Sequence, residues 1–294
     1  MRNAGLRLVV LLMVQVFWSG ASHCAEAGRS GFVEELSKQN SIYESRGKQV
    51  PEGYVVDRSL TVYAQALSPD FDRALAELGP EHRWLDIGAG EGQAILDYFS
   101  PDYDPGRVDG RQRRGRKAQA VAMSVEDRRT PRWHHAAASL GANQLQYLFD
   151  KRLREYGAGE LGQFQVITDV IGGFSYTDNL SLVMEKVLGF LALNGSFFTL
   201  LQDVHAEDGT NLPFYEKSPF LTEIAKADGS EVRVCSWLKR ITCVEVSCEL
   251  RMQWKPPIEV YRVRKVCNDV AVPALVMKHY EAGTPPERRF QSGN

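Results

Sequence analysis

The run Phe164–Val170, FQVITDV, constrains the fold of this 294-residue chain more than any other segment. It is rich in apolar and β-branched residues, and it lacks the strict alternation of a strand with one face in water. Such runs are typical of parallel strands that are buried on both faces. Parallel strands need crossover connections, which are usually helices, so the run predicts a sheet with helices on both sides.

Apolar runs alternate with helical patterns along most of the chain. Further strands are predicted at 83–87, 118–125 and 196–201, with helices between them. We also predict a strand over WHHAAAS, 133–139, and a helix over ANQLQYLFDKRLREYG, 142–157.

The last third of the chain has a different pattern. ITCVEVSCEL, 241–250, and IEVYRVRKV, 258–266, stand on either side of a proline pair and predict an antiparallel hairpin. The predicted fold class is therefore α/β, with a mostly parallel sheet, helices on both faces and an antiparallel C-terminal hairpin.

The N-terminus has the pattern of a signal peptide. Arg2 and Arg7 form a basic start, the 11-residue apolar run Leu8–Trp18 follows, and Ala25–Ala27 fits a small-x-small cleavage site. The run is too short to span a membrane, so we expect no transmembrane span in the mature chain. The pattern predicts an exported protein, periplasmic or secreted, whose signal peptide is residues 1–27.

The remaining chain divides into three predicted parts. Residues 28–79 form an arm and helices, residues 80–267 the main domain, and residues 268–294 a C-terminal tail. The composition is ordinary for a globular protein, and a formal net charge of −2 argues against a dedicated nucleic-acid-binding protein. Six basic residues in one loop form the exception, Arg107, Arg111, Arg113, Arg114, Arg116 and Lys117. They have no interleaved aromatic residues, so we interpret them as a solvated loop.

Four cysteines remain after the predicted cleavage, Cys235, Cys243, Cys248 and Cys267. An even, clustered set in an exported chain favours disulfides. The predicted hairpin places Cys243 opposite Cys267 and leaves Cys235 for Cys248, although four cysteines permit three pairings. A zinc site is the alternative, but the chain has no C-x-x-C pair here, and we predict no metal.

The segment LDIGAGEG, 85–92, follows the first predicted strand. Three glycines stand at alternate positions in it, Gly88, Gly90 and Gly92. The dinucleotide fingerprint G-x-G-x-x-G fails at Gln93. Asp86 lies two residues before the first glycine and Glu91 lies inside the loop. Their carboxylates would repel a pyrophosphate but attract a ligand with an ammonium and a sulfonium. The loop therefore favours S-adenosylmethionine (SAM) over a nicotinamide cofactor.

Three segments in order resemble one family. LDIGAGEG resembles the first motif of the class I SAM-dependent methyltransferases, and FQVITDVIGGF resembles their fourth. VLGFLALNGSFFTLL is similar to the helix, glycine and strand that follow in that family, so the resemblance covers roughly residues 80–265. It implies a Rossmann-like fold, SAM as cofactor and methyl transfer to an acceptor.

The resemblance implies a set of cofactor-binding residues, Asp86, Gly88, Ala89, Gly90, Gly92, Glu126 and Asp169. The family places an acid for the ribose hydroxyls at the end of the second strand, where this chain has Ser124, with Glu126 or Asp127 beyond it. It also places a polar residue for the adenine amino group after the third strand, where our prediction offers Ser139.

Other candidates have a structural alternative beside the functional one. Three histidines are candidates for a general base, His134, His135 and His205, but we interpret each in the first place as a surface or structural residue. Tyr63 on a predicted N-terminal helix is either a core residue or part of a lid over the cofactor. Tyr176 could line the acceptor side. No catalytic residue is assigned.

Three functional hypotheses follow. The first is an exported SAM-dependent methyltransferase that acts on a small-molecule or envelope acceptor. The second is a non-catalytic exported module that keeps the fold and binds SAM or a nucleoside, since SAM is made in the cytosol. The third is an aminopropyl transferase with a related glycine loop.

Overall fold

The computed structural model describes residues 58–100, 116–177, 179–202, 222–223, 234–251, 258–279 and 288–292. They all fall within one compact unit, residues 51–294. The predicted signal peptide, most of the basic loop and His205 lie outside the described residues.

The described residues form helices and strands in alternation. The helices are α1 Leu60–Ala66, α2 Pro69–Ala76, α3 Gln93–Phe99, α4 Pro131–Leu140, α5 Gly173–Tyr176, α6 Leu180–Phe190 and α7 Val234–Leu238. The strands are β1 Arg83–Ile87, β2 Gln119–Met123, β3 Leu145–Leu148, β4 Phe164–Val170, β5 Leu191–Gln202, β6 Thr222–Glu223, β7 Val244–Arg251, β8 Ile258–Lys265, β9 Leu275–His279 and β10 Arg288–Ser292.

Seven strands form one sheet in the order β3-β2-β1-β4-β5-β8-β7. The strands β3, β2, β1, β4 and β5 are parallel to one another, and β8 runs antiparallel to both β5 and β7. The predicted fold class is therefore confirmed, including the C-terminal hairpin. A separate small sheet has the order β6-β10-β9.

Two apolar clusters cover the two faces of the large sheet. On β1, Leu85 and Ile87 join the cluster under α6 and α7, and Trp84 joins the cluster under α1, α2 and α3. This division follows from the alternation of side chains along a strand. The helices α1 and α2 belong to this core, since Leu60 and Phe71 are fully buried.

Two predicted elements are wrong. WHHAAAS is not a strand but part of α4, and the region predicted as a continuous helix contains β3. The sequence Thr130-Pro131 begins α4, since the Thr130 side chain accepts a hydrogen bond from the Trp133 amide and proline fits the first helical turn. The short run Leu145–Leu148 is a strand because β2 pairs with it along its whole length.

The four C-terminal cysteines form two disulfides. Cys235 is bonded to Cys248 and Cys243 to Cys267, with Cα–Cα distances of 6.1 and 4.9 Å. This is the pairing that the predicted hairpin favours over its two alternatives. Among the described residues, Cys235, Cys248 and Glu259 lie close enough to hold a metal ion, but the two sulfurs are bonded to each other.

No helix in the described part of the chain combines the length and the apolar character that a membrane crossing requires.

The disulfides should contribute measurably to stability. We expect the double variant Cys243→Ser/Cys267→Ser to lose about 3 kcal/mol of unfolding free energy, because the bond restricts a loop in the unfolded chain. Urea unfolding of the oxidised protein measures the loss, with Cys235→Ser/Cys248→Ser as the matched variant. Unchanged stability in both variants would contradict the pairing, as would other linked peptides in a non-reducing digest.

Candidate functional site

The strand order reverses direction at β1 and β4. From β1 the chain moves outward through β2 to β3, and it then returns to place β4 on the other side of β1. Open α/β sheets bind ligands at the carboxyl ends of the strands beside such a switch point. The candidate site is therefore the edge formed by the loops after β1, β2, β3 and β4.

The loop after β1 is shaped by glycines in the left-handed region. Gly88, Gly90 and Gly92 have φ angles of 70°, 59° and 82°. A Cβ on Gly88 would lie 2.7 Å from the Cα of Gly172, so a glycine there lets the loops after β1 and β4 approach closely. The Ala89 amide donates to the Met123 carbonyl at 3.0 Å and ties the loop to the end of β2.

The third glycine makes room for a tryptophan. A Cβ on Gly92 would lie 2.3 Å from the ring of Trp133, a buried residue of α4. Trp133 stacks edge-on against Tyr147 of β3, with ring centroids 5.0 Å apart. The Tyr147 hydroxyl donates to the Gly90 carbonyl. Packing against the protein itself therefore accounts for Gly92.

Asp86 lies at the centre of a buried hydrogen-bond network. Its carboxylate is fully buried and accepts from the Tyr63 hydroxyl at 3.1 Å and from the Thr168 hydroxyl at 2.7 Å. Thr168 in turn accepts from the Trp84 indole at 2.8 Å. Burial and the Asp86 charge raise the pKa of Tyr63 well above its usual value, so Tyr63 stays a donor. Tyr63 is thus a core residue that holds Asp86.

Asp169 points to the other face of the sheet. It pairs in register with Ile87, and its carboxylate accepts from the amides of Gly172 and Phe174, both at 2.8 Å. Burial raises the pKa of Asp169 to about 7, although these backbone donors act in the opposite direction. Asp169 therefore fixes the loop after β4 and the start of α5.

The loop after β2 carries the predicted ribose acid. Glu126 is half-buried and accepts from Arg128 at 2.7 Å, and Asp127 accepts from Arg129 at 2.8 and 2.6 Å. The Arg129 hydrogen bond lowers the pKa of Asp127 to about 2. Ser124 follows the last residue of β2, so the strand end itself carries no acid.

The corrected third strand reveals a residue that the sequence interpretation missed. Phe149 and Asp150 directly follow β3, and Asp150 is exposed. The Asp150 amide donates to the Val125 carbonyl at 3.0 Å, so the loops after β2 and β3 lie side by side. Ser139 instead lies on α4. The signal was the short segment LQYLF directly before Asp150, but helix-forming residues surround it.

The described histidine candidates do not converge on the glycine loop. His134 and His135 are exposed on α4, and no hydrogen bond joins either to Gly88, Asp86 or Asp169 in the described part of the chain.

The polar groups at this edge fit SAM. Exposed backbone at Gly88 provides a close approach, and carboxylates on three adjacent loops, Glu91, Glu126 and Asp150, suit hydroxyls, an amine and positive charge. Asp86 and Asp169 support the loops from inside the protein, because their carboxylate oxygens already accept hydrogen bonds from protein groups.

Comparisons with known proteins give only distant structural similarities. No protein-family model matches the chain, and no curated protein matches it. The solved structures to which it is similar include PKMT2 from Rickettsia typhi in complex with AdoHcy, at 16% identity and a TM-score of 0.36. That match covers 51% of this chain and 27% of the other, so the chain spans about a quarter of that relative's length.

Two further similar structures are also methyltransferases by name. An O-methyltransferase family protein from Burkholderia thailandensis is 14% identical, with coverages of 71% and 58% and a TM-score of 0.40. Geranyl diphosphate methyltransferase in complex with SAM is 12% identical, with coverages of 71% and 89% and a TM-score of 0.44. These similarities are distant, and the fold assignment rests on the strand order of the chain itself. At the level of fold, the predicted resemblance is confirmed.

Substitution of Gly92 should expose the role of Trp133. Gly92→Ala should cost about 3 kcal/mol of unfolding free energy, from the left-handed backbone and from overlap with the ring. Gly159→Ala is the matched control, since Gly159 has a φ of 77° and a Cβ there would meet no atom within 4 Å. It should cost about 1–2 kcal/mol. Equal losses in urea unfolding would contradict the packing role of Gly92.

Asp169 should make stability depend on pH. Its pKa of about 7 in the folded chain exceeds the ordinary 3.8, so the folded state holds this proton more tightly. The unfolding free energy should therefore fall as pH rises from about 4 to about 7, by on the order of 2–4 kcal/mol. In Asp169→Asn this component should be absent. Parallel pH profiles for the two proteins in urea unfolding would show that Asp169 does not titrate this way.

Proposed function

We propose that the chain binds SAM at the carboxyl edge of β1, β2, β3 and β4 and transfers its methyl group to an acceptor. The observation that supports this most is the switch point, where a left-handed glycine loop that carries Glu91 adjoins two further loops that carry Glu126 and Asp150. A cationic nucleoside with a diol and an amino group would donate to these carboxylates and match their charge.

Each part of the edge has a proposed role. The exposed backbone at Gly88 contacts the amino-acid part of the ligand, with Ala89 and Gly90 shaping the loop. Glu126 accepts from the ribose hydroxyls, and Asp150, beside the Val125 carbonyl, accepts from the adenine amino group. Three contacts hold the loops in place. Asp86 accepts from Tyr63, Gly92 packs against Trp133, and Asp169 accepts from the Gly172 amide.

Bound SAM would supply an electrophilic methyl group on its sulfonium sulfur. Held by the loops at Gly88 and Gly172, the ligand would give this methyl group to the acceptor and would leave as a neutral thioether. Methyl transfer can depend mainly on alignment of the acceptor with this bond. The loops after β1 and β4, which approach each other at Gly88 and Gly172, would provide that alignment. A proton lost by an oxygen or nitrogen acceptor would pass to solvent, since the described residues place no histidine beside the glycine loop.

A non-catalytic binding module is the second candidate. The internal hydrogen bonds of Asp86 and Asp169, and the packing of Gly92 against Trp133, give these residues a structural reason to be present. Such a module would bind SAM or a nucleoside without forming S-adenosylhomocysteine in the presence of an acceptor.

Titration of the purified chain with SAM and S-adenosylhomocysteine tests the proposed site. We expect calorimetry to show binding, and Asp150→Ala to weaken it about tenfold, because a hydrogen bond to a charged group is lost. Asp269→Ala is the matched control, since Asp269 follows β8 at the opposite edge of the sheet. No binding by the wild-type chain would refute the proposal, and equal effects of the two variants would refute the adenine contact.

We also propose that the chain is exported. The N-terminal pattern of residues 1–27 and the use of all four later cysteines in disulfides support this. A periplasmic reporter enzyme fused after residue 30 should be active in a bacterial host. Replacement of the apolar run Leu8–Trp18 with polar residues should abolish that activity. A fusion that is inactive outside the cytoplasm would contradict export.

A further inference from the structure

We propose that Arg58 binds the carboxylate of the amino-acid part of the ligand, and thereby selects SAM over its decarboxylated form. The inference rests on the proposed SAM site and adds a specificity-determining residue to it. Arg58 lies outside every motif that the sequence analysis used.

Arg58 reaches the switch point from the N-terminal side. Its Nη1 donates to the carbonyl of Val170, the last residue of β4, at 3.5 Å. Arg58 is half-buried at this edge of the sheet. In sequence it precedes Ser59, which caps α1, and the next turn of α1 carries Tyr63.

The charges around Arg58 support the same position. The Arg58 guanidinium lowers the pKa of Asp169 and that of Tyr63, against the stronger effect of burial on each. It is therefore electrostatically close to Asp169 and to the Tyr63–Asp86 pair. Glu91 adds an exposed carboxylate in the loop after β1.

A guanidinium among carboxylates suits a zwitterion. The amino-acid part of SAM carries one ammonium and one carboxylate, and carboxylates at the same edge would repel the latter. Arginine presents a planar set of five donors that matches a carboxylate and can keep the Val170 carbonyl as a further partner. Decarboxylated SAM, the donor of aminopropyl transferases, lacks this anionic group.

The test combines two ligands with four proteins. The affinities of SAM and decarboxylated SAM are measured by calorimetry for the wild-type chain, Arg58→Gln, Arg58→Lys and the control Arg73→Gln. Arg73 lies on α2 and pairs with Asp70 at an exposed position. Circular dichroism melting of each protein shows whether it is folded.

We expect Arg58→Gln to weaken the binding of SAM about tenfold and to change the affinity for decarboxylated SAM less than twofold. Arg58→Lys should recover part of the SAM affinity, and Arg73→Gln should match the wild type. If Arg58→Gln does not fold, the wild-type chain alone still tests the proposal, because it should prefer SAM about tenfold.

Two results would overturn the inference while leaving SAM binding intact. One is an equal loss for both ligands in Arg58→Gln, and the other is equal or tighter binding of decarboxylated SAM by the wild-type chain. Absence of binding for both ligands in every protein would instead refute the proposed function.

Discussion

The rest of the site depends on the hydrogen bonds that the buried carboxylate of Asp86 accepts. A charge of this kind is costly to bury without partners. Tyr63 and Thr168 supply the hydrogen bonds, and they come from α1 and β4. One side chain on β1 thus fixes the N-terminal helix and the neighbouring strand at the switch point. Removal of the Asp86 side chain would therefore disturb this packing as well as the binding of a ligand.

The glycine loop owes its shape to the protein as much as to a ligand. Gly88 allows the loop after β4 to approach, and Gly92 leaves room for Trp133. A loop held by such contacts is already formed before a ligand arrives, which lowers the entropy cost of binding. The same contacts explain how a non-catalytic module could keep the loop.

The parts of the fold that sequence could predict carry strong local signals. β4 is rich in apolar and β-branched residues, and the hairpin has two alternating strands, from which the pairing of Cys243 with Cys267 was predicted. β3 was not predictable in this way, since four residues with helix-forming neighbours become a strand only by pairing with β2. The contacts of Tyr63 and Arg58 join residues that are far apart in the sequence, so no local sequence pattern predicts them.

Hydrogen exchange of the purified chain with and without SAM tests the central claim most directly, because it reports where a ligand slows amide exchange. The account predicts slower exchange with SAM in peptides that cover 85–93, 122–130 and 147–152, and unchanged exchange in 241–251. Unchanged exchange in all four peptides at saturating SAM, or protection confined to 241–251, would contradict a SAM site at the switch point.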